Sequence, residues 1–268
     1  MKIAVVGSIN LDFVAYCNRL PRPGETVSAT SYDRFPGGKG ANQAVAAARL
    51  GAEVTMVGCV GRDAEAVEAL VGLRQAGVAV DLEETDAATG RAFVTVDDTG
   101  ENHIVVWGGA NLVARDFDVS GADAVVCQLE VPDVMVERAS RQARFFCLNA
   151  SPARDTTVGR DLLVVNEVEF EQLRRPRGLV AVTHGSEGAV LREDGHELAR
   201  AAPPPVAVVD STAAGDAFTA CLVVSLLEGR PRQEALTRAC AAGALAASKP
   251  GAQPSLPTAA DIDAILTR

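Results

Sequence analysis

Short runs of β-branched and other apolar residues alternate with alanine-rich stretches of helical character along most of the chain. These runs cover residues 3–6, 54–57, 124–128, 145–149, 162–165, 179–183 and 206–209. Continuous apolar strands that alternate with helices are typical of a parallel sheet covered on both faces. The pattern therefore predicts a doubly wound, mostly parallel α/β fold. The chain has 268 residues, enough to bury the core of a single domain, which we expect to span residues 1–268.

Capping signals mark the helices that connect the predicted strands. Residues 41–50 follow a glycine-rich turn and stop before Gly51, while Asp63 can cap a helix that runs to Ala76 and ends at Gly77. Two alanine- and leucine-rich helices are predicted over residues 216–227 and 232–248, and a short final helix in the tail 254–268.

Two segments interrupt this alternation, at about residues 13–35 and 89–108. In the second, Ala92, Val94 and Val96 alternate with residues 93, 95 and 97, a period that indicates an antiparallel sheet with one wet face. We expect the two insertions to form a small β-sheet lid. Apolar residues occupy all of positions 104–107, so a wholly exposed outer face would leave an apolar patch. The lid is therefore predicted to form the interface of a homodimer.

Composition excludes several classes of function. Lys and Arg total 25 against 35 Asp and Glu, so the net charge of −10 repels nucleic acid and anionic membrane surfaces. The apolar stretch 217–227 is too short to span a membrane, and residues 3–6 are too short for a secretory signal. Six cysteines without CxxC spacing predict reduced, buried thiols and a cytoplasmic location. Three scattered histidines argue against a zinc site.

Polar residues follow the first predicted strand and the first predicted crossover turn. Asn10 and Asp12 come directly after residues 3–6, at the sheet edge where open α/β folds bind ligands, although an Asx turn is the alternative. The loop 37–42 contains three glycines, which let the backbone approach a ligand. It matches neither common phosphate-binding glycine motif. The mixed donors and acceptors of Lys39 and Asn42 suit a polyhydroxylated ligand.

The segment DSTAAGD (210–216) follows the apolar run 206–209 and opens a helix near Ala217. Backbone N–H groups at such a helix start can stabilise the charge on a phosphoryl group in transfer. Asp216 stands where a carboxylate can orient an incoming hydroxyl group. Its alternative role is that of a helix cap.

Two further motifs follow predicted strands. Asn166 and Glu169 come after residues 162–165 and suit Mg²⁺ binding through water, although a solvated helix start is the alternative. The turn THGSEG (183–188) is compatible with the phosphates of a nucleotide or with an ordinary hairpin. His184 is interpreted as a turn residue rather than a catalyst.

Taken in order, these motifs resemble the PfkB sugar-kinase family over nearly the whole chain. They are GSINLD (7–12), PGETV (23–27), GGKGANQAVAAARLG (37–51), QLE (128–130), NEVE (166–169), THGSEG (183–188), DSTAAGD (210–216) and GAQPS (251–255). GGKGANQAVAA and GAQPS are most similar to the branch of the family that phosphorylates ribose. The resemblance implies a ribokinase-like fold and an enzyme that transfers the γ-phosphoryl group of ATP to the 5-hydroxyl of D-ribose, giving D-ribose 5-phosphate and ADP.

The resemblance also implies roles for individual residues. Sugar binding is assigned to Asn10, Leu11, Asp12, Gly38, Lys39, Gly40, Ala41, Asn42, Glu130 and Asp216. Asp216 would also take the proton of the attacking hydroxyl, beside an anion hole formed by Ala213, Ala214 and Gly215. Binding of ATP with Mg²⁺ is assigned to Asn166, Glu169, Thr183, His184, Gly185, Ser186, Glu187, Gly188, Gly215, Asp216 and Cys240, the last near the adenine. A K⁺ ion would be held by Asp210, Thr212, Ala246, Lys249, Gly251 and Ser255.

The sequence departs from the family pattern in two places. Residues 171–179 are too few for the complete crossover helix that the family has there, which leaves ATP affinity and donor preference open. Lys249-Pro250 replaces the usual basic pair, and an inward ammonium group of Lys249 could take the place of K⁺. The alternative functions are another PfkB sugar or nucleoside kinase, or a catalytically weak sugar-binding regulatory protein.

Overall fold

The computed structural model describes residues 1–173 and 176–267. Its strands are β1 (Lys2–Val6), β2 (Asn10–Tyr16), β3 (Ser31–Gly37), β4 (Glu53–Gly61), β5 (Ala79–Thr85), β6 (Gly90–Val96), β7 (Asn102–Trp107), β8 (Ala124–Gln128), β9 (Phe146–Asn149), β10 (Leu162–Asn166), β11 (Leu179–Thr183), β12 (Ala189–Glu193) and β13 (His196–Ala201). Its α-helices are α1 (Lys39–Arg49), α2 (Ala64–Ala69), α3 (Val71–Gln75), α4 (Asp133–Gln142), α5 (Glu167–Gln172), α6 (Ala214–Leu227), α7 (Arg232–Ala247), α8 (Ala252–Ser255) and α9 (Ala259–Leu266).

The larger sheet has the order β13-β12-β11-β10-β9-β8-β1-β4-β5 within the described residues. Pairs from β5 to β11 are parallel, and the hairpin β11-β12-β13 adds an antiparallel edge. This arrangement confirms the predicted doubly wound, mostly parallel sheet. The sequence pattern missed β5, β12 and β13, which lie at the two edges, where polar residues replace the continuous apolar runs of the central strands.

Two apolar cores lie on opposite faces of this sheet. In β1, Ile3 and Val5 belong to one core, which is closed by α1, α6 and α7. Ala4 and Val6 belong to the other core, which is closed by α4. Because successive side chains of a strand point to opposite faces, an uninterrupted apolar strand such as β1 needs helices on both sides.

The helices begin and end close to the predicted positions. Helix α1 begins at Lys39, two residues earlier than predicted, because Gly38 adopts a φ of 88° and turns the chain into the helix. Asp63 caps α2 as predicted, since its side chain accepts a hydrogen bond of 2.9 Å from the N–H of Ala66. The predicted single helix to Ala76 is interrupted at Leu70, which separates α2 from α3.

The two insertions form a separate small sheet in the order β3-β2-β6-β7. Ala92, Val94 and Val96 are buried on one face, as their alternation predicted. The antiparallel pairing that the alternation predicted for the second insertion is present between β6 and β7, whereas β2 pairs with β6 in parallel. Both strands follow parallel strands of the larger sheet, β1 and β5, and so leave the same edge in the same direction.

The predicted strand at residues 206–209 is not a strand. The N–H groups of Val209 and Asp210 donate to the carbonyl of Ala247 at the end of α7, at 2.9 and 3.2 Å, rather than to a neighbouring strand. Val208 and Val209 are exposed, and three prolines at 203–205 precede the segment. Proline has no N–H to donate, so residues 203–205 cannot donate hydrogen bonds to a neighbouring strand and do not extend the run at 206–209 into a sheet.

The shortened segment at 171–179 begins within α5, a helix of only six residues. Residues 174 and 175 lie outside the described residues, so the prediction for this segment is compared only over the remainder. The six cysteines are free and buried, as predicted. In the described part of the chain, no helix is long and apolar enough to cross a membrane.

Candidate active site

A cavity of about 380 Å³ lies between the carboxyl ends of the larger sheet's strands and the small sheet. Predicted site residues that line it are Asn10, Asp12, Gly38, Lys39, Asn42, Glu130, Asn166, Glu169, Thr183, Gly185, Thr212, Ala213, Gly215 and Asp216. The cavity therefore brings together motifs that are more than 200 residues apart. The small sheet contributes Ala92, Asn102, Ile104 and Val106, which the sequence analysis did not assign to the site.

Asp216 lies in the first turn of α6 and is only 6% exposed. Its Oδ2 accepts a hydrogen bond of 2.9 Å from Nδ2 of Asn42, and its Oδ1 accepts one of 2.9 Å from Nε2 of Gln43. Burial raises the pKa of the Asp216 carboxyl, and the positive charge of Lys39 and these two hydrogen bonds oppose that rise. The carboxyl is consequently a stronger base than a solvated aspartate while its ionised form keeps two donors.

Asp12 is a second buried carboxyl of the cavity, 5% exposed, and its Oδ1 has no hydrogen-bond partner among the described residues. Burial, together with the negative charges of Glu130, Asp216 and Asp210, raises its pKa to about 7. An orphaned buried acceptor at the wall of a cavity is available to a hydroxyl group of a ligand. Asp12 is therefore placed to accept a hydrogen bond from a sugar.

Lys39 and Glu130 complete the charged lining. Burial by itself lowers the pKa of the Lys39 ammonium, but the carboxylates of Asp216, Glu130, Glu169 and Asp12 outweigh it, and the net pKa is raised. Burial raises the pKa of Glu130, against the charge of Lys39 and a hydrogen bond from the Ser8 hydroxyl. One cation among several carboxylates provides donors and acceptors in the mixture that a polyhydroxylated ligand requires.

Asn10 is oriented by a residue that the sequence analysis missed. Asn111, which is buried, donates from Nδ2 to Oδ1 of Asn10 at 2.7 Å and accepts from the N–H of Ile9 at 2.9 Å. One of the two lone pairs of the Asn10 oxygen is thus occupied. The Nδ2 group of Asn10 is the part that remains to donate to a ligand at the cavity wall.

The glycines at 38 and 40 allow close packing of the chain on itself. A Cβ at Gly38 would lie 2.7 Å from the backbone nitrogen of Asn10, and one at Gly40 would lie 2.6 Å from that of Ser8. The sequence analysis expected these glycines to let the backbone approach a ligand. In the structure they let α1 begin directly against the turn after β1, and Gly38 also lines the cavity. The Cβ position of Gly215 is open.

The predicted anion hole lies at the start of α6. Ala213 has a left-handed backbone with a φ of 62°, and the N–H of Ala214 donates to the carbonyl of Ser211 at 3.2 Å. Ala213 and Gly215 line the cavity and Ala214 does not. Ser211, which the sequence analysis did not assign, accepts a hydrogen bond of 3.3 Å from Asn102 of the small sheet.

The residues predicted for K⁺ lie behind this helix start. Asp210 is buried, and its carboxylate accepts from the N–H of Thr212 and from the N–H of Gly251, each at 2.9 Å. Ala246 and Ser255 are buried beside this loop. The Lys249 side chain is exposed, so its ammonium group does not take the inward position considered above.

On the nucleotide side, Asn166 and Glu169 face the cavity and also cap α5. Oδ1 of Asn166 accepts from the N–H of Glu169 at 2.7 Å, and the Glu169 carboxylate accepts from the N–H of Asn166 at 2.9 Å. Both interpretations of this motif are therefore compatible with the structure. Across residues 1–173 and 176–267 no group of three or more His, Cys, Asp or Glu side chains could hold a metal ion directly.

Other predicted residues lie away from the cavity lining. Leu11 and Ala41 are buried in the larger core, so only their backbone groups could reach a ligand. The turn at 183–188 is both a hairpin between β11 and β12 and an exposed loop beside the cavity, where Nδ1 of His184 lies 3.1 Å from the Glu167 carboxylate. Cys240 is buried and its thiol donates to the carbonyl of Ala201 at 3.5 Å. Also outside the lining are Gly40, Ser186, Glu187 and Gly188.

Three buried amides near Asp216 were also missed, namely Gln43, Gln128 and Asn149. A signal for two of them was present in the sequence. Gln128 and Asn149 end the apolar strands β8 and β9, as Asn166 ends β10. The rule that directed attention to Asn10 and Asn166, a polar residue at the carboxyl end of an apolar strand, applies equally to them.

A buried carboxylate at a helix start faces a polar cavity at the carboxyl edge of the parallel sheet, an arrangement suited to the transfer of a phosphoryl group to a hydroxyl. Residues 1–259 match the pfkB family of carbohydrate kinases, and the chain belongs to that family. It is 36% identical to the ribokinase of Bacillus subtilis over 293 residues, which covers 99% of each chain. It is 35% identical to the bifunctional ribokinase/ribose-5-phosphate isomerase A of Fructilactobacillus sanfranciscensis, over 96% of this chain but only 54% of that protein.

The fold is also similar to that of a ligand-bound relative. The structure of Arabidopsis thaliana ribokinase complexed with ribose and ATP superposes with a TM-score of 0.83 at 31% identity, covering 99% of this chain and 98% of that one. The structural similarity covers both the doubly wound sheet and the small sheet.

Proposed function

We propose that this protein is an ATP-dependent sugar kinase that phosphorylates the 5-hydroxyl of D-ribose and releases ADP. The observation that carries the proposal is the placement of Asp216, buried and doubly hydrogen-bonded, in the same cavity as Asn10, Asp12 and Lys39. The ribokinase relatives and the ribose and ATP complex of the Arabidopsis enzyme support the substrate pair.

In the proposed reaction, the 5-hydroxyl oxygen forms a bond to the γ-phosphorus of ATP while the bond from that phosphorus to the bridging oxygen of ADP breaks. The hydroxyl proton passes to Asp216. Asn10, Asp12, Lys39, Asn42 and Glu130 hold the remaining hydroxyl groups, and N–H groups at the start of α6 face the transferring oxygens. In a loose phosphoryl-transfer transition state the protein acts mainly by aligning groups and stabilising charge.

ATP would be held on the side of Asn166, Glu169, Thr183 and the turn that follows, with the adenine directed towards Cys240. The Asn166 and Glu169 oxygens fit a Mg²⁺ ion bound through water, since they face the cavity and no group of three or more His, Cys, Asp or Glu side chains among the described residues could hold the ion directly. Such an ion neutralises charge on the phosphates when it is bound. The six-residue helix α5 still positions both side chains through its capping box.

Asp210 supports the proposed K⁺ site. It is a buried carboxylate that accepts hydrogen bonds from two backbone N–H groups. Hard oxygen donors of this kind suit an alkali cation, and the nearby Ala246, Lys249, Gly251 and Ser255 would add carbonyl and hydroxyl oxygens. A cation there would stabilise the loop that leads into Ala213 without contact with the sugar.

The small sheet would serve as a lid that excludes water from the phosphoryl group, and as the interface of a homodimer. Its strand β7 is exposed from His103 to Trp107, and Val105 is 68% exposed. Ile104 and Val106 face the cavity, while Val105 lies on the opposite parity of the strand. An exposed apolar strand at a sheet edge is stabilised when a second copy covers it.

A substrate panel tests the proposed function. ADP formation is measured with D-ribose, D-fructose, adenosine and other sugars in the presence of ATP, Mg²⁺ and K⁺. We expect D-ribose to give the largest kcat/KM, and the product to be D-ribose 5-phosphate. A larger kcat/KM with another acceptor reassigns the substrate. ADP formation no faster with any acceptor than without one contradicts a kinase and favours a sugar-binding regulatory protein.

A further inference from the structure

A chain of three buried amides ends on the Asp216 carboxylate. Nε2 of Gln43 lies 2.9 Å from Oδ1 of Asp216 and 2.9 Å from Oδ1 of Asn149. Oε1 of Gln43 accepts from Nε2 of Gln128 at 2.6 Å. Nδ2 of Asn149 donates to the backbone carbonyl of Val164 at 3.1 Å. The chain therefore connects two strands of the larger sheet to the proposed base.

The hydrogen bonds allow one orientation of the Gln43 amide. Asn149 must present its oxygen to Gln43, because its Nδ2 group is committed to a backbone carbonyl. The two hydrogens of Gln43 Nε2 are then donated to Asn149 and Asp216, and the Gln43 oxygen accepts from Gln128. A flipped Gln43 would place its oxygen against the Asp216 carboxylate. The network thus presents an N–H to that carboxylate.

Burying these amides costs free energy, which suggests that their hydrogen bonds have a functional role. Gln43 is 1% exposed, Gln128 is completely buried, and Oε1 of Gln128 has no partner among the described residues. A Cβ on residue 7 would lie 2.0 Å from that oxygen, so the glycine at position 7 leaves the room it occupies. Apolar side chains of similar volume would give a more stable core at this place.

Gln43 also cannot act on the sugar directly. Asn42, its neighbour on α1, lines the cavity and binds Oδ2 of Asp216, whereas Gln43 lies behind the carboxylate and outside the cavity lining. Any effect of Gln43 on the reaction must therefore pass through Asp216. This separation of the two neighbours makes their roles distinguishable by kinetics.

We propose that Gln43 is a positioning residue of the kinase reaction, which holds Oδ1 of Asp216 and leaves Oδ2 turned to the acceptor hydroxyl. The proposal rests on the proposed function, in which Asp216 takes the proton. The Gln43 donor also stabilises the ionised form of the carboxylate, because a hydrogen bond to the charged form favours it. Gln128 and Asn149 hold Gln43 in its donating orientation.

The test compares Gln43→Met, which keeps the volume and removes the donor, with the wild type. The pKa of Asp216 is measured by ¹³C NMR titration of aspartate-labelled protein without ligands, with the signal assigned by its loss in Asp216→Asn. We expect the Asp216 pKa to rise by about one unit in Gln43→Met. A second variant, Gln43→Glu, introduces a like charge and should raise this pKa further. It also keeps the measurement possible if Gln43→Met does not fold.

Kinetics supplies the second measurement. We expect Gln43→Met to lower kcat by about 10- to 100-fold with the KM for sugar within about twofold, and to move the acid limb of the kcat profile to higher pH. Gln142→Met is the matched control. Gln142 also donates and accepts through its amide, at Phe117 and Val119, far from Asp216. The control should leave the pH profile of kcat unchanged.

The outcomes separate the inference from the proposed function. An Asp216 pKa unchanged in both Gln43 variants overturns the positioning role, whatever the activity of the wild type. A loss that falls on the KM for sugar, with kcat unchanged, also overturns it, since it would show a direct role in binding. A raised Asp216 pKa in a protein without kinase activity supports the contact and refutes the proposed function instead.

Discussion

Neutralising Asp12 should stabilise the ligand-free protein in a pH-dependent manner. Its carboxyl is buried with an unpartnered oxygen, and burial and neighbouring carboxylates raise its pKa to about 7. In the unfolded chain the pKa of an aspartate is about 3.9. Between these two values the folded protein binds more protons at Asp12 than the unfolded chain does. The free energy of unfolding therefore falls as the pH rises from about 4 to about 7.

The size of the effect follows from the two pKa values. Each pKa unit corresponds to about 1.4 kcal/mol, so a carboxyl with a pKa about three units higher in the folded state destabilises the protein by on the order of 4 kcal/mol above pH 7. Asp12→Asn keeps the shape of the side chain and removes the ionisation. The variant should equal the wild type in stability near pH 4 and exceed it by on the order of 4 kcal/mol at pH 8.

Urea unfolding of both proteins between pH 4 and pH 8 measures this difference. Glu130 and Asp216 are present in both proteins, so the difference between the two curves reports Asp12 together with its coupling to these two carboxylates. Asp98→Asn, which removes an exposed carboxyl in the turn between β6 and β7, is the control. If Asp12→Asn differs from the wild type by the same amount at pH 4 and pH 8, the raised pKa is refuted. Sugar, whose hydroxyls would donate to the ionised carboxylate, should show a lower KM above pH 7 than below it.

Three further predictions concern catalysis and assembly. Asp216→Asn should fold normally and lose kcat by on the order of 10²- to 10⁴-fold, because the proton acceptor is removed, and steady-state rates near those of the wild type would contradict a base at this position. K⁺ should raise kcat with little change in the KM for sugar, and initial rates that are equal in K⁺, Na⁺ and a bulky organic cation at matched ionic strength would exclude the cation site. Light scattering should show a dimer at micromolar concentration and a monomer for Val105→Lys, whereas a monomeric wild type would remove the lid from consideration as an interface.

Much of the fold could be predicted because the central strands have a distinctive apolar composition. Strands β1, β8, β10 and β11 are apolar without interruption, which only a sheet covered on both faces accommodates. The edge strand β5, with the sequence AVDLEET, lacks that pattern because solvent replaces a neighbouring strand. Residues 206–209 have the composition of a strand, but three prolines precede them and the N–H of Val209 donates to the end of α7 instead of to a neighbouring strand.

The sequence predicted the residues that line the candidate site but not the residues that hold them in place. Asn10, Asp12, Asn42 and Asp216 stand in motifs that a single chain displays, and the structure places all of them in one cavity. The sequence did not predict the residues that orient them, because Gln43 and Asn111 donate hydrogen bonds to residues about 170 and 100 positions away in the chain. A hydrogen bond between such distant residues depends on how strands and helices stack.

The amino-acid sequence by itself determined the class of fold, the order of its elements and the chemical types of its site residues. Those properties follow from local periodicity, capping and side-chain chemistry, which act within a few neighbouring residues. Only the tertiary structure decided that β2 and β6 pair in parallel, that Asp12 is buried with an orphaned oxygen, and that Gln43 lies behind Asp216. The physical reason is that desolvation and buried hydrogen bonds depend on what surrounds a group in space, and distant parts of the chain supply those surroundings.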